Sequence, residues 1–146
     1  MSLPREGSMN ADTFGSVEMQ MLWLSIVLGL VQLVLAVLPS LAARGLPWAA
    51  GPRDEPGAAL GKIGGRLERA FRNFLETFVF FAAAVLMAQA LGRHGGNIGL
   101  GAQVYFWSRL AYVPAYAAGI PFLRTLLWGV SVVGIVLVLV AIHPGM

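Results

Sequence analysis

Residues 19–38 read MQMLWLSIVLGLVQLVLAVL, twenty positions without a charge. At about 1.5 Å per residue that is the length a helix needs to cross roughly 30 Å of hydrocarbon. The apolar character is continuous rather than alternating, which predicts a helix and not a barrel strand. Pro39 follows and is expected to end it. Three further stretches qualify: residues 71–91, 98–120 and 122–142. Of these, the first carries Arg72, Asn73 and Glu76 in its opening turns, the next Arg109 near its middle, and the last Arg124 at its start. The expected fold is all-α and membrane-integral: a bundle of four transmembrane helices over residues 19–146, behind a polar tail at residues 1–18.

Composition points the same way. The chain is 58% hydrophobic and 12% charged, against about 25% charged in a soluble domain, which excludes an ordinary hydrated globule and a disordered chain. No cysteine is present, so a disulfide framework, a zinc–cysteine site and an enzyme thiol are all excluded. The net charge of +3 does not read as a nucleic-acid surface, because the basic residues lie between lipid-length runs and serve orientation. Arg44, Arg53, Lys62, Arg66 and Arg69 fall between the first two spans and Arg124 between the last two; the other side has only Arg5 and Arg93. Lysine and arginine gather on the cytoplasmic side, so the long loop (residues 42–65) is expected there and both termini outside. Leu60, Ile63, Leu67 and Phe71 recur at helical spacing, so the second helix should start some turns before the bilayer. The tail lacks the basic, apolar and small-residue order of a secretory leader. No internal repeat or low-complexity tract occurs.

Charges within spans are costly, at least about 2.5–3.5 kcal/mol near the helix centre, and mark candidate sites. In RAFRNFLE (residues 69–76), Arg69, Asn73 and Glu76 stand at i, i+4 and i+7 on one stripe, with Arg66 a turn earlier. Arg72 and Glu76 also form an i, i+4 pair of opposite sign. Guanidinium, amide and carboxylate together suit a zwitterionic ligand. The alternative is that Arg66, Arg69 and Arg72 snorkel to lipid phosphates while Glu76 pairs with Arg72.

In WSRLAYVPAY (residues 107–116), Arg109, Tyr112 and Tyr116 share a stripe, flanked by the small residues Ala111, Ala115 and Gly119. Pro114 is expected to kink this helix, and Gly119-Ile120-Pro121 to break it. Two tyrosines alone would read as an interfacial belt; a mid-helix arginine one turn away argues for a site. Ser25 with Gly29, and Ala84 with Ala88, read as packing seams, and Gln32 and Gln89 as polar links between helices. His94 and His143 stand isolated, without the companions a metal would need. There is no phosphate loop, Ser-His-Asp set or carboxylate pair.

At these residues the chain resembles the MAPEG family, the membrane-associated proteins in eicosanoid and glutathione metabolism. The match runs over residues 23–142 and is most specific at Arg-Ala-x-x-Asn-x-x-Glu (69–76) and Arg-x-x-Tyr-x-x-x-Tyr (109–116); PAYAAGIPFLR (114–124) is similar to a bacterial branch. The resemblance implies a homotrimer of four-helix subunits in a bacterial inner membrane, with sites between subunits toward the cytoplasm. It implies that glutathione is the co-substrate, without a metal. Its thiolate would act on lipophilic electrophiles or hydroperoxides arriving from the lipid. By motif, Arg69, Asn73, Glu76, Arg109, Tyr112 and Tyr116 would bind the tripeptide, with Arg66 and Arg72 counted beside them. Arg124, with Tyr116, would serve catalysis at the thiolate. The chain departs from several eicosanoid-type members at Thr77, where they carry an aromatic. A free thiol of pKa about 8.5 is only a few per cent thiolate at pH 7, and lowering it two units takes about 2.7 kcal/mol. One guanidinium in a low-dielectric pocket is of that order. Two other classes are consistent with the residues: a catalytically silent ligand-binding member, and a small transporter. Against the latter, the first span has no acid within it, Glu18 standing at its edge.

Overall fold

A computed structural model describes residues 15–143 apart from 53 and 55. Most of the expected tail, with Arg5, and the loop residue Arg53 lie outside the described residues. Among the described residues four helices follow one another: α1 (Val17–Ala50), α2 (Lys62–Ala90), α3 (Gly96–Ala118) and α4 (Pro121–Ile142). α1 does not end at Pro39. It continues through it and breaks at Gly45, whose φ of 79° and ψ of 165° leave helical space. A proline removes one hydrogen bond and crowds the preceding turn, whereas glycine alone enters positive φ at little cost. Residues 46–50 then add a short turn, with Pro47 near its start, where a missing N–H matters least.

α2 starts at Lys62, well before residue 71, as the spacing of Leu60, Ile63 and Leu67 led one to expect. Gly64 in its first turn is buried against Pro39; a Cβ there would lie 3.0 Å from the proline Cβ. The turn between α3 and α4 forms where Gly119 and Pro121 stand. Gly119 takes the left-handed conformation and its N–H caps Ala115 and Tyr116 carbonyls, while Pro121 opens α4.

α2 and α3 pack against each other and both touch α4; α1 packs on α2 and α3 and makes no direct contact with α4. Lipid supplies little hydrophobic drive between helices, so close approach and interhelical polar contacts hold such bundles. Gly29 passes under the Phe74 ring, where a Cβ would fall 2.9 Å from a ring carbon. Ala84 and Ala88 are fully buried against Ile98, Val138 and Ile142, so both predicted small-residue pairs are seams. Phe81 and Tyr105 stack with centroids 3.9 Å apart.

α1, α2 and α4 are long and apolar enough to cross a membrane. α3, at 23 residues, has the length but is diluted by glycines, Asn97, Gln103 and Arg109. The outer faces stay apolar: Leu30, Val34, Leu126 and Val136 are exposed, a surface suited to lipid rather than water. Glu18 and His94 meet at one end, beside Arg93 and the end of α4, whereas Arg66 and Ala117 meet at the other. The start of α1 and the finish of α4 therefore share one end.

Candidate functional site

The two predicted stripes converge between α2 and α3. Arg109 is 1% exposed. Its Nη1 donates to Asn73 Oδ1 at 2.9 Å and its Nη2 to the Asn73 carbonyl at 3.4 Å. Nη2 also donates to Thr77 Oγ1. Its charge center lies 5.1 Å from the Tyr112 ring centroid and 5.9 Å from that of Tyr105. The Asn73 amide, its oxygen engaged by Arg109, turns Nδ2 toward Glu76 Oε2 at 3.4 Å. A guanidinium, an amide and a carboxylate thus form one chain running from the interior to the surface of α2.

Tyr112 and Tyr116 follow along α3, with ring centroids 5.4 Å apart. Arg124 folds back from the first turn of α4 and lies 5.2 Å from the centroid of Tyr116, near enough for a cation–π contact. Arg124 therefore stands beside the tyrosine stripe rather than serving only as a surface anchor.

The three remaining arginines are placed apart. Arg72 does not pair with Glu76; its guanidinium lies 3.6 Å from Glu68 and is largely exposed. Both geometries are i, i+4, and Glu76 is already engaged by the Asn73 amide. Arg69 is exposed, one turn before Asn73 on α2. Arg66 reaches across to the end of α3, donating to the Ala117 carbonyl at 3.0 Å. Its guanidinium fills the space beside Gly119, where a Cβ would meet it at 2.6 Å.

Thr77 and Tyr105 belong to the cluster and were not among the predicted site residues. Thr77 Oγ1 lies 3.2 Å from the Phe74 carbonyl and 3.3 Å from the Tyr105 hydroxyl. The signal was present: Thr77 follows Asn73 by four positions and Tyr105 precedes Arg109 by four, so each extends a stripe already drawn.

At the opposite end His94 is not isolated. Its Nδ1 lies 3.1 Å from Glu18 Oε1, and Glu18 is fully buried. Among the described residues no group of three His, Asp or Glu is arranged to hold a metal.

No curated protein and no solved structure is significantly similar to the chain. The model of the MAPEG family does match, over residues 21–143. That span takes in all four helices almost entire, both stripes and Arg124, and the chain is therefore a member of the MAPEG family.

Proposed function

We propose that this protein is a glutathione-dependent membrane transferase or peroxidase. The observation that carries the proposal is the chain Arg109–Asn73–Glu76, continued along α3 by Tyr112 and Tyr116 to Arg124. Glutathione carries two carboxylates and one ammonium. Glu76 is the acid available for the ammonium, and exposed Arg69 and half-buried Arg124 are suited to the carboxylates and the sulfur. Arg124 beside Tyr116 favours the thiolate, the thiol proton passing to water. With an electrophile the sulfur lone pair forms the new S–C bond while the carbon's bond to its leaving group breaks and the departing group keeps that electron pair. At a conjugated C=C the π pair shifts instead and takes a proton from water. With a hydroperoxide the O–O bond breaks, giving an alcohol and water as two glutathiones become the disulfide.

The assembly belongs to the same proposal: a homotrimer in a bacterial inner membrane, bound to lipid on its outer faces, with the site between subunits. Glu76 and Arg69 are exposed on the single subunit, and charges facing hydrocarbon are costly, which supports cover by a second copy. All four helices span in this reading. Since α2 ends beside Glu18 and α4 starts beside Arg66, short turns leave α3 to make the return crossing. The arginines at the α2 start and Arg124 put that end in the cytoplasm and both termini outside.

Calorimetric titration of glutathione into the detergent-purified protein, with thiolate absorbance followed across pH, tests the proposal. Binding with a thiol pKa well below about 8.5 is expected. Binding without a shift would mark a catalytically silent ligand-binding member, and no binding at millimolar glutathione would end the glutathione reading.

A further inference from the structure

We propose that Thr77 and Tyr105 are positioning residues that set ammonium recognition at Glu76 by holding Arg109, and through it the Asn73 amide, in one orientation. The inference rests on the glutathione reading above, and it concerns a layer of side chains behind the ligand-facing groups.

Proton inventory gives the direction of the network. A threonine hydroxyl has one proton and two lone pairs. Thr77 gives its proton to the Phe74 carbonyl at 3.2 Å. Both remaining contacts must then be accepted: one from Arg109 Nη2, the other from the Tyr105 hydroxyl at 3.3 Å. Tyr105, 0% exposed and stacked on Phe81, is a fixed donor at the back of the cluster.

Arg109 needs such backing. It is buried, and among the described residues its Nε has no hydrogen-bond partner and the acceptors of its Nη groups are all neutral. A buried cation held only by neutral acceptors keeps its place through the number and geometry of those acceptors. Thr77 supplies one of three, and the other two are atoms of Asn73. Remove the Thr77 hydroxyl and Asn73 supplies the two acceptors left of those three, beside the Tyr105 and Tyr112 rings. An asparagine amide can reverse its oxygen and nitrogen with little change in shape. Arg109 prevents that reversal by presenting a donor to Oδ1, so Nδ2 is what faces Glu76. The Glu76 carboxylate is thereby held for a cation rather than turned away by an opposing carbonyl.

The test compares glutathione with its analogue lacking the α-amino group, by calorimetry on the detergent-purified full chain. Wild type, Thr77→Val, Thr77→Ser, Tyr105→Phe and Glu76→Gln are measured with thiolate absorbance and thermal melting. Wild type should prefer glutathione over the analogue. Thr77→Val should weaken glutathione about 10-fold, the scale of one charged hydrogen bond, and bind the analogue almost unchanged, as Glu76→Gln does. The bound thiol pKa should stay at its wild-type value, since Arg124 is untouched. Thr77→Ser should stay within about 2-fold of wild type and Tyr105→Phe fall between. Equal loss for both ligands, or loss explained by melting alone, would show a structural hydroxyl and overturn the inference. So would a Thr77→Val protein indistinguishable from wild type. A wild type that binds neither ligand would overturn the glutathione reading and this inference with it.

Discussion

Arg109 and Asn73 lie 36 positions apart in the chain, and a 2.9 Å hydrogen bond joins their side chains across the α2–α3 interface. The contact makes the guanidinium an internal fixture, with one face toward Tyr112 and its Nη groups donating to Asn73 and Thr77 of α2. Under the glutathione proposal, this arginine, which the motif groups with ligand-binding residues, would act one step behind the ligand.

Replacing Arg109 by lysine should separate charge from geometry. A lysine keeps the cation but not the planar fork that spans Asn73 and Thr77. Glutathione affinity is expected to fall about 10-fold, with a melting temperature lower by several degrees. Calorimetry and detergent-solution melting check both, and full affinity in Arg109→Lys would refute the fork's role.

Arg124 should behave in the opposite way. It lies beside Tyr116 at the opening of α4, two turns along α3 from Arg109. Arg124→Ala is expected to return the bound thiol toward its free pKa of about 8.5 while binding changes by less than about 3-fold. Activity at pH 7 should then drop and recover as pH rises through that value, because the thiolate is the reactive form. Spectrophotometric titration of the bound thiol, alongside rate–pH profiles, measures this.

Gly101 and Gly134 bring the α3 and α4 backbones into contact. A Cβ at Gly101 would lie 2.6 Å from the Gly134 carbonyl oxygen, and one at Gly134 would lie 2.7 Å from the Tyr105 nitrogen. These neighbours are backbone, so no side chain can swing aside. Gly134→Ala should destabilise the folded protein by about 1–3 kcal/mol, whereas Gly129→Ala, whose Cβ meets open space, should leave melting unchanged. Comparing the two melting curves decides the point.

Glu18 and His94 fasten the start of α1 to the α2–α3 turn. Glu18 is fully buried with Oε1 3.1 Å from the ring nitrogen, and among the described residues its Oε2 has no hydrogen-bond partner. His94→Ala should cost about 1–3 kcal/mol by leaving the buried carboxylate without its partner. His94→Ala combined with Glu18→Ala should cost less than the sum of the single changes. Glutathione affinity, governed at the other end of the bundle, should be unaffected in both.

Much of the architecture follows from local chemistry. Continuous apolar runs of bilayer length determine helices, Gly119-Ile120-Pro121 determines a turn, and small residues four apart determine seams. Helical spacing alone grouped Asn73 with Glu76, and Arg109 with Tyr112 and Tyr116. These signals are legible because each depends on residues within one or two turns of the same helix. The break in α1 was harder to place: Pro39 looks like the stronger breaker, yet it weakens a helix at one bond while Gly45 leaves helical space altogether.

Partner choice between helices was decided by the tertiary structure. Arg72 has acids at both i−4 and i+4, and the rival contact from Asn73 to Glu76 accompanies its pairing with Glu68. Thr77 joined Arg109, Glu18 found His94, and Gly101 met Gly134 because of how far each helix is rotated and how high it sits beside its neighbour. A single helix's periodicity defines which residues share a face. Rotation and height are set by close packing of all the faces at once, so the face was readable in the sequence and the atom it meets was not.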